Sequence, residues 1–291
     1  MKPTILLTGA TGFLGSHVLS ELSRLEYNVI VLKRTFSDLF RIKEYMTNIK
    51  TYDIDLIQLE TVFEENHIDV IIHTATQYGR KEESLIDIVE TNLMLPLKLI
   101  ALAEKNNVKK FINTDTLLDK RVSSYALSKK QFRNWLQFYS NKMICINASL
   151  EHFYGAFDDK TKFVTLIIKS LIDKVEFLDL TLGEQERDFI YIDDVVDAFI
   201  KIIEWDQYQN GFYEYEIGSG TNIKIKDFIL SASKIIENFS TKLNFGAIPY
   251  RENEVMKSHV DLTEITKLGW NSSVSFEMGL KKTILQEKGL S

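Results

Sequence analysis

The sequence predicts an α/β protein built on a doubly wound parallel sheet. Up to about residue 150, short runs rich in Ile and Val alternate with helical patterns, and the runs are almost continuously apolar. This alternation is typical of parallel strands buried on both faces and joined by right-handed crossovers. The expected strands are Ile5–Thr8, Val29–Leu32, Ile49–Tyr52, Val70–His73, Lys110–Asn113 and Ile144–Ala148, and helices are expected to begin near Phe13, Leu56, Glu82 and Ser124.

Composition indicates a globular protein and argues against some classes of binding partner. The chain has 291 residues, 45% of them hydrophobic, which is enough for a large core and two lobes. Its net charge of -6 and the absence of a basic block argue against nucleic acid or a membrane surface as the main partner. No apolar run reaches spanning length and the N-terminus enters a strand at once, so we expect a cytoplasmic protein. Cys145 is the single cysteine, and its apolar surroundings favour a core residue over a nucleophile.

A glycine motif follows the first predicted strand and opens the first helix. Gly9 permits a tight turn, Gly12 lets a pyrophosphate approach the backbone, and Gly15 lets the helix pack closely on the strand. The N–H groups at the helix start would bind the pyrophosphate. A glycine triad also occurs in ordinary turns, but its place at this junction favours a Rossmann-type dinucleotide site. The predicted contacts are Gly9, Thr11, Gly12, Phe13, Leu14 and Gly15.

The end of the second strand bears on the choice of cofactor. An acidic residue there would bind the ribose hydroxyls of NAD, but this chain has Lys33 and Arg34. Their positive charges suit the additional phosphate of NADP. We therefore predict an NADP(H) site; the alternative is a solvated basic pair at a strand end.

A change of pattern near residue 150 predicts two domains. Residues 1–150 form the dinucleotide-binding domain, and 151–188 with 219–291 form a smaller α/β lobe that binds the substrate. The segment 189–218 is expected to return to the first domain, because it contains a helical pattern over Asp193–Trp205 and a strand-like run at Tyr213–Ile217.

A Tyr-x-x-x-Lys motif opens the helix after the fifth major strand. The spacing of Tyr125 and Lys129 places both side chains on one helix face. A neighbouring ammonium lowers the pKa of a phenol and makes it a usable proton donor and acceptor. Thr114, Asp115 and Thr116 end the preceding strand, so a hydroxyl can lie beside the phenol. We predict that Thr116, Tyr125 and Lys129 are catalytic and that Thr114, Tyr125 and Lys129 also contact the cofactor.

These motifs resemble the extended short-chain dehydrogenase/reductases of the NAD-dependent epimerase/dehydratase family, which modify nucleotide sugars. The resemblance runs nearly end to end. It implies cofactor contacts for Asp53 and Ile54, which resemble the pair that contacts adenine, for Thr74 and Ala75 after the fourth strand, and for Asn92 on a helix.

The same resemblance implies a substrate site in the second lobe. Residues 186–190 with 193–195 resemble the motif whose arginine, here Arg187, binds the nucleotide diphosphate, and Arg251 resembles the second such arginine. Residues 268–270 match the family's C-terminal pattern. His152 stands where many relatives have a substrate-contacting asparagine, and either a core histidine or a ligand fits there. Each arginine could instead be a surface ion-pair partner.

Within that family the chain most resembles the CDP-abequose and CDP-paratose synthases, over Phe111–Thr116, Ser128–Trp135 and Leu150–Gly155. This implies NADPH-dependent reduction of a nucleoside-diphosphate 4-keto-deoxyhexose, in deoxysugar biosynthesis for surface polysaccharide such as lipopolysaccharide O-antigen. The loop between Thr116 and Tyr125 departs from the family pattern, because it is short and lacks the usual Val-Tyr-Gly.

Two other functions stay open. A nucleotide-sugar 4-epimerase would hold NAD tightly, whereas an NADP-type site favours net hydride delivery. A noncatalytic NADP-binding sensor or scaffold is disfavoured, because Tyr125 and Lys129 are both present. A 4,6-dehydratase needs an Asp-Glu pair after the active-site Thr, and Leu117 and Leu118 stand there instead.

The resemblance also implies a homodimer. Relatives pair through the helix that begins at Ser124 and the one near Asn92–Ala103, and an aromatic and apolar face on the first of these helices is compatible with packing. The five His residues are scattered without metal-ligand spacing, so no metal is expected.

Overall fold

The computed structural model describes residues 2–80, 82–252 and 254–290, and the chain divides into two compact units. The first unit contains the chain up to Leu150 together with Val196–Glu216. The second contains Glu151–Val195 and the chain from Ile217 onward. The returning segment is thus shorter than the expected 189–218, because the strand at Glu186–Tyr191 pairs with strands of the second unit.

The elements are numbered in chain order. The strands are β1 Thr4–Thr8, β2 Asn28–Lys33, β3 Lys50–Asp53, β4 Val70–His73, β5 Lys110–Thr116, β6 Ile144–Leu150, β7 His152–Tyr154, β8 Phe177–Leu180, β9 Glu186–Tyr191, β10 Gly211–Ile217, β11 Asn222–Lys224 and β12 Lys242–Phe245. The α-helices are α1 Phe13–Arg24, α2 Leu59–Glu65, α3 Leu85–Val89, α4 Leu95–Lys105, α5 Ser124–Tyr139, α6 Phe163–Ile172, α7 Ile192–Glu204, α8 Ile225–Ile236, α9 Thr263–Thr266 and α10 Phe276–Glu287. A 3₁₀ turn covers Lys43–Tyr45, and a π-helical segment covers Glu90–Met94.

The first unit confirms the predicted doubly wound parallel sheet. Its strand order is β3-β2-β1-β4-β5-β6-β10, and the pairs from β3 to β6 are parallel. The strand order reverses between β1 and β4, where ligands bind in folds of this kind. The carboxyl ends of β1, β2, β4 and β5 therefore bring their following residues to one edge of the sheet.

Two helices begin later than the sequence predicts. Leu56, where the sequence predicts a helix start, lies in a turn and donates its N–H to the Asp53 carbonyl. Helix α2 begins three residues later, at Leu59. The expected start near Glu82 moves to α3, because Ser84 caps that helix and forms a capping box with Asp87. The predicted starts of α1 and α5 are confirmed.

The core of the first unit lies between this sheet and its helices. Leu6, Ile71, Phe111 and Phe132 are fully buried there, and each such side chain contributes about 1.5–3 kcal/mol on leaving water. Cys145 belongs to the same cluster, and burial raises the pKa of its thiol to about 12. The prediction that this cysteine is a core residue is confirmed.

A buried lysine fastens the returning segment to the sheet. Lys110 Nζ donates hydrogen bonds to the carbonyls of Ile202 and Ile203, both at 2.9 Å, and of Trp205 at 3.3 Å. These carbonyls end α7, where the helix dipole favours a cation. Burial lowers the pKa of Lys110 to about 8.

The second unit is built from shorter pieces. One sheet has the order β11-β9-β7, another pairs β12 with β8, and α8 packs against α6 and α10. Asp194 holds this unit together, because its carboxylate accepts the backbone N–H groups of Ser273 and Val274, each at 3.0 Å, and its carbonyl accepts the Trp270 indole N–H at 3.1 Å. Within the described ranges, no helix is both long enough and apolar enough to cross a membrane.

Candidate active site

The glycine motif forms a close-packed turn between β1 and α1. Gly9 has a φ of +72°, and a Cβ there would come within 2.5 Å of the Ala75 backbone nitrogen. At Gly15 a Cβ would overlap the Gly9 carbonyl and lie 2.7 Å from Thr74 Oγ1. Gly12 caps α1 without a side-chain hydrogen bond, so the first N–H groups of the helix are left for an anion. Thr11 and the exposed Gly12 lie on this turn, whereas Phe13 and Leu14 are buried.

The basic pair at the end of β2 is already paired with carboxylates. Lys33 Nζ lies 3.0 Å from Asp53 Oδ2, and Arg34 Nε lies 2.5 Å from Asp55 Oδ1. The Asp53 carboxylate also accepts the Thr35 hydroxyl at 2.9 Å, and its pKa is lowered, because these hydrogen bonds outweigh desolvation. The basic residues are therefore not simply solvated, and a phosphate would have to share or replace their carboxylate partners.

The predicted residues after β4 pack against β1, and Thr114 near the end of β5 bonds to β4. Thr74 Oγ1 donates to the Thr8 carbonyl at 2.7 Å, and the Ala75 N–H donates to Thr8 Oγ1 at 3.3 Å. Thr114 Oγ1 donates to the His73 carbonyl at 2.9 Å. These bonds fix the sheet edge against which the glycine turn closes.

Asn92 braces the site from within the π-helical segment. Its amide oxygen accepts the Gln77 N–H at 2.9 Å, and its Nδ2 donates to the Gln77 carbonyl at 2.9 Å and to Ser128 Oγ at 3.0 Å. The residue is fully buried. The resemblance implies a cofactor contact for Asn92, but the amide here joins the loop after β4 to α5, and π-helical bulges often occur at functional sites.

Tyr125 and Thr116 come together at the start of α5. Burial raises the pKa of Tyr125 well above its ordinary value, and the charges of Tyr78 and Asp115 raise it further. A hydrogen bond with the Thr116 side chain and the positive charge of Arg80 act in the opposite direction. The expectation that the pKa of Tyr125 is lowered is therefore wrong for this structure, because dehydration of the phenol dominates. At neutral pH Tyr125 is a neutral phenol that can donate a proton.

Lys129 is the best indication that a ligand belongs here. The residue is 2% exposed, and its Nζ is buried without a hydrogen-bond partner. Burial lowers its pKa to about 8, against the opposing effect of Asp115. A buried ammonium without acceptors is costly. With the glycine turn, it fits a dinucleotide whose ribose hydroxyls would supply the acceptors.

Two neighbours of Tyr125 are absent from the sequence-based site. The ring of Tyr78 lies 4.9 Å from that of Tyr125, and the Arg80 guanidinium lies 5.0 Å from the Tyr78 ring. Both residues follow β4 in a loop without a recognisable motif, so their spacing in the sequence gives no signal. They come close to α5 only in the folded protein, where β4 pairs with β5.

In the second unit His152 is held by a buried acid. Its Nδ1 lies 2.8 Å from Glu151 Oε2, and the ring packs edge-on against Phe189 at 6.0 Å. The Glu151 side chain is 3% exposed, whereas that of His152 is 41% exposed. A core histidine is therefore excluded, and the imidazole presents an oriented, accessible edge.

Arg187 pairs with an acidic residue in the turn that Arg251 begins. The Arg187 guanidinium pairs with the Glu254 carboxylate and donates to the Glu186 carbonyl at 2.8 Å. The Glu254 N–H donates to the Arg251 carbonyl at 3.1 Å, and the Arg251 residue is exposed. Arg187 thus has the ion-pair partner that the sequence left open as an alternative to a diphosphate. Across the described part of the chain, no group of three or more His, Cys, Asp or Glu could hold a metal.

A sheet of this order with a glycine turn after β1 defines a Rossmann-type dinucleotide-binding fold. The chain belongs to the NAD dependent epimerase/dehydratase family, whose model matches residues 5–218. It is 35% identical over 289 residues to a CDP-abequose synthase from Salmonella muenchen, covering 96% of each chain. The predicted family and the finer resemblance are confirmed.

Solved structures agree with this assignment. The UDP-glucose 4-epimerase of Thermotoga maritima, determined with UDP-glucose, is 25% identical with a TM-score of 0.84 and covers 99% of this chain and 100% of its own. The UDP-glucose 4-epimerase of Thermus thermophilus in complex with NAD is 20% identical, with a TM-score of 0.84 and coverage of 99% and 100%. The predicted fold class is confirmed.

We predict that Gly15→Ala disrupts the dinucleotide turn. The added methyl overlaps the Gly9 carbonyl, so the turn must open, at a cost of about 1–3 kcal/mol in unfolding free energy. Dinucleotide affinity, measured by titration of protein fluorescence, should fall by at least about tenfold. Gly211→Ala is the control in the same unit, because a Cβ there meets nothing nearer than 3.5 Å. Equal dinucleotide affinity in the two variants would contradict the assignment of the turn.

Proposed function

We propose that the protein uses NADPH to reduce the 4-keto group of a nucleoside-diphosphate deoxyhexose, in the formation of deoxysugars for surface polysaccharide. The observation that carries the proposal is the 35% identity to a CDP-abequose synthase over 96% of both chains. Thr116, Tyr125 and Lys129 supply the hydroxyl, the phenol and the ammonium that such a reduction needs.

In the proposed reaction, three residues of the first unit have separate roles. Bound NADPH supplies a hydride to the carbonyl carbon. Tyr125 gives its phenolic proton to the carbonyl oxygen, so hydride and proton together convert the ketone to an alcohol. Thr116 donates a hydrogen bond to the same oxygen and orients it, and Lys129 binds the nicotinamide ribose and stabilises the tyrosinate left behind.

The second unit provides the groups for the substrate's diphosphate. We propose that Arg187 and Arg251 bind the phosphates, since the guanidinium fork suits them. Arg187 would exchange its Glu254 partner for phosphate. His152, oriented by Glu151, would donate a hydrogen bond from its accessible edge. Binding energy from the nucleotide can then position the reacting sugar.

A nucleotide-sugar 4-epimerase is the second candidate. Its support is the similarity in fold to the Thermotoga maritima UDP-glucose 4-epimerase. Such an enzyme returns its hydride to the substrate and retains NAD through the cycle. The basic pair Lys33 and Arg34, in place of an acid at the end of β2, favours the reductase.

Turnover distinguishes the two functions. The purified protein is incubated with NADPH, and separately with NADH, plus freshly made CDP- or dTDP-4-keto-deoxyhexoses, and the absorbance of the reduced nicotinamide is followed. We expect substrate-dependent loss of NADPH. No oxidation with any substrate, together with tightly bound NAD in the preparation, would support the epimerase instead.

In the same assay Tyr125→Phe should lower kcat by about 10²- to 10⁴-fold, because the proton donor is lost. The affinity for NADPH should stay within about threefold, since Lys129 and the glycine turn are untouched. A Tyr125→Phe enzyme with undiminished kcat would rule out the proposed proton transfer.

Cofactor choice depends on Arg34 in this proposal. Arg34→Met should weaken NADPH binding by about 10- to 100-fold while leaving NADH binding unchanged, since the charge acts only on the additional phosphate. Arg24→Met is the matched control, because Arg24 also forms a surface ion pair at 2.5 Å, with Glu21. The same loss for both cofactors would contradict an NADP site.

We also propose a homodimer formed through α4 and α5. Trp135 and Phe138 on α5 are 46% and 71% exposed, which suits a second copy of this chain. Sedimentation should give the mass of a dimer, and the double change Trp135→Glu with Phe138→Glu should give a monomer. Phe239→Glu, at a residue 80% exposed in the second unit, is the control. A monomeric wild-type protein would refute the proposal.

A further inference from the structure

An ion pair lies between β5 and the catalytic helix α5. Lys130 Nζ is 3.1 Å from Asp115 Oδ2, and the Asp115 side chain is completely buried. The same carboxylate oxygen accepts a hydrogen bond from Asn147 Nδ2 at 3.0 Å. Neither charged residue belongs to the Tyr-x-x-x-Lys motif, although Lys130 directly follows its lysine.

The pair holds the peptide groups on both sides of the catalytic threonine. The Thr116 N–H donates to Asp115 Oδ1 at 2.7 Å, and the Thr116 carbonyl accepts from Lys130 Nζ at 2.6 Å. Because Lys130 extends from α5, these bonds tie the end of β5 to the helix that carries Tyr125. They therefore restrain the distance between the Thr116 hydroxyl and the phenol.

Stability alone does not explain this arrangement. A buried ion pair contributes little net free energy, because desolvation offsets the attraction between the charges. Asp115 also belongs to a polar ladder across β5 and β6, in which Asn113 Nδ2 donates to Asn147 Oδ1 at 2.8 Å. Apolar side chains would fill such a position between two buried strands at lower cost, so a role in geometry accounts for the polar set better.

We propose that Asp115 and Lys130 are positioning residues, which hold Thr116 beside Tyr125. The inference deepens the proposed function, since it rests on Thr116 and Tyr125 as reacting groups. Asp115 acts through the backbone N–H of Thr116. Lys130 acts through the Asp115 carboxylate and the Thr116 carbonyl. Neither needs to touch the substrate.

The charges around Lys129 agree with the proposal. Asp115 raises the pKa of Lys129, whereas Lys130 lowers it. Other titratable groups near this part of the site are His73 from β4, Tyr78 and Arg80 from the loop after β4, and Arg133 on α5, which interacts with the charge of Asp115. Removing either member of the pair should shift the titration of Lys129, and the two shifts should have opposite signs.

A double-mutant cycle tests the positioning role. We compare Asp115→Asn, Lys130→Met and the double variant with the cycle of Asp69→Asn and Lys109→Met. The second pair matches in geometry, because Lys109 also lies 3.1 Å from Asp69 and the Asp69 carboxylate also accepts a backbone N–H, from Thr4 at 3.0 Å. It is the more exposed pair, since the Lys109 side chain is 72% exposed and that of Lys130 27%.

In the NADPH oxidation assay each change at 115 or 130 should lower kcat by about tenfold or more, with KM within about threefold, because displaced reacting groups slow the chemical step. The double variant should be no slower than the worse single variant, since both act through one pair. Lys130→Arg should recover much of the loss. Unchanged kcat in Lys130→Met and Asp115→Asn, or an equal loss in the control cycle, would overturn the proposal.

A second measurement needs no substrate. Lysine side chains are labelled with ¹³C at Cε, the Lys129 resonance is assigned with Lys129→Arg, and its pKa is followed by NMR in variants whose melting curves show that they are folded. The pKa should fall in Asp115→Asn and rise in Lys130→Met. If the wild-type protein reduces no ketosugar but these shifts appear, the proposed reaction fails and the charge coupling stands. Unmoved titration in both variants would refute the coupling.

Discussion

Parallel strand pairing is the constraint on which the site depends. Because β1, β4 and β5 run in the same direction, their carboxyl ends release the glycine turn, Thr74 and Thr116 at one edge of the sheet. The register of the strands then decides which side chains meet. Thr8 pairs with His73, which brings the Thr8 hydroxyl to the Ala75 N–H and closes the turn against Gly9. A slip of one residue would turn every one of these side chains to the other face of the sheet.

Helix α5, which carries Tyr125 and Lys129, is held to this edge by polar contacts as well as by apolar packing. Asn92 reaches α5 through Ser128, and Lys130 reaches β5 through Asp115 and the Thr116 carbonyl. Both links are directional, so they fix the helix along its axis as well as against the sheet. Apolar contacts such as that of Phe132 with Phe111 supply the larger share of stabilisation, but they tolerate small sliding movements that hydrogen bonds do not.

The fold was largely predictable because its strands are continuous apolar runs, and local periodicity is enough to find those. The glycine turn and the pair Tyr125–Lys129 were predictable for a related reason: each lies within one short stretch of sequence. Tyr78 and Lys130 act through partners that are distant in the sequence, so no local spacing reveals them. The strands of the second unit could not be predicted from the sequence, because strands as short as β7 and β11 have too few residues to show a hydrophobic period.

The basic residues proposed to bind anionic groups share one electrostatic arrangement. Lys33, Arg34 and Arg187 each have a carboxylate partner, in Asp53, Asp55 and Glu254. These partners hold the cations in ordered positions, and a phosphate that replaces a carboxylate gains its charge-assisted hydrogen bonds without the cost of ordering the side chain. Lys129 differs, because its ammonium is buried with no hydrogen-bond partner. At Lys129 a ligand would displace no acid and would instead supply the missing hydrogen-bond acceptors. The desolvation cost of the buried ammonium would then be offset only when the proposed ribose hydroxyls bind beside Tyr125.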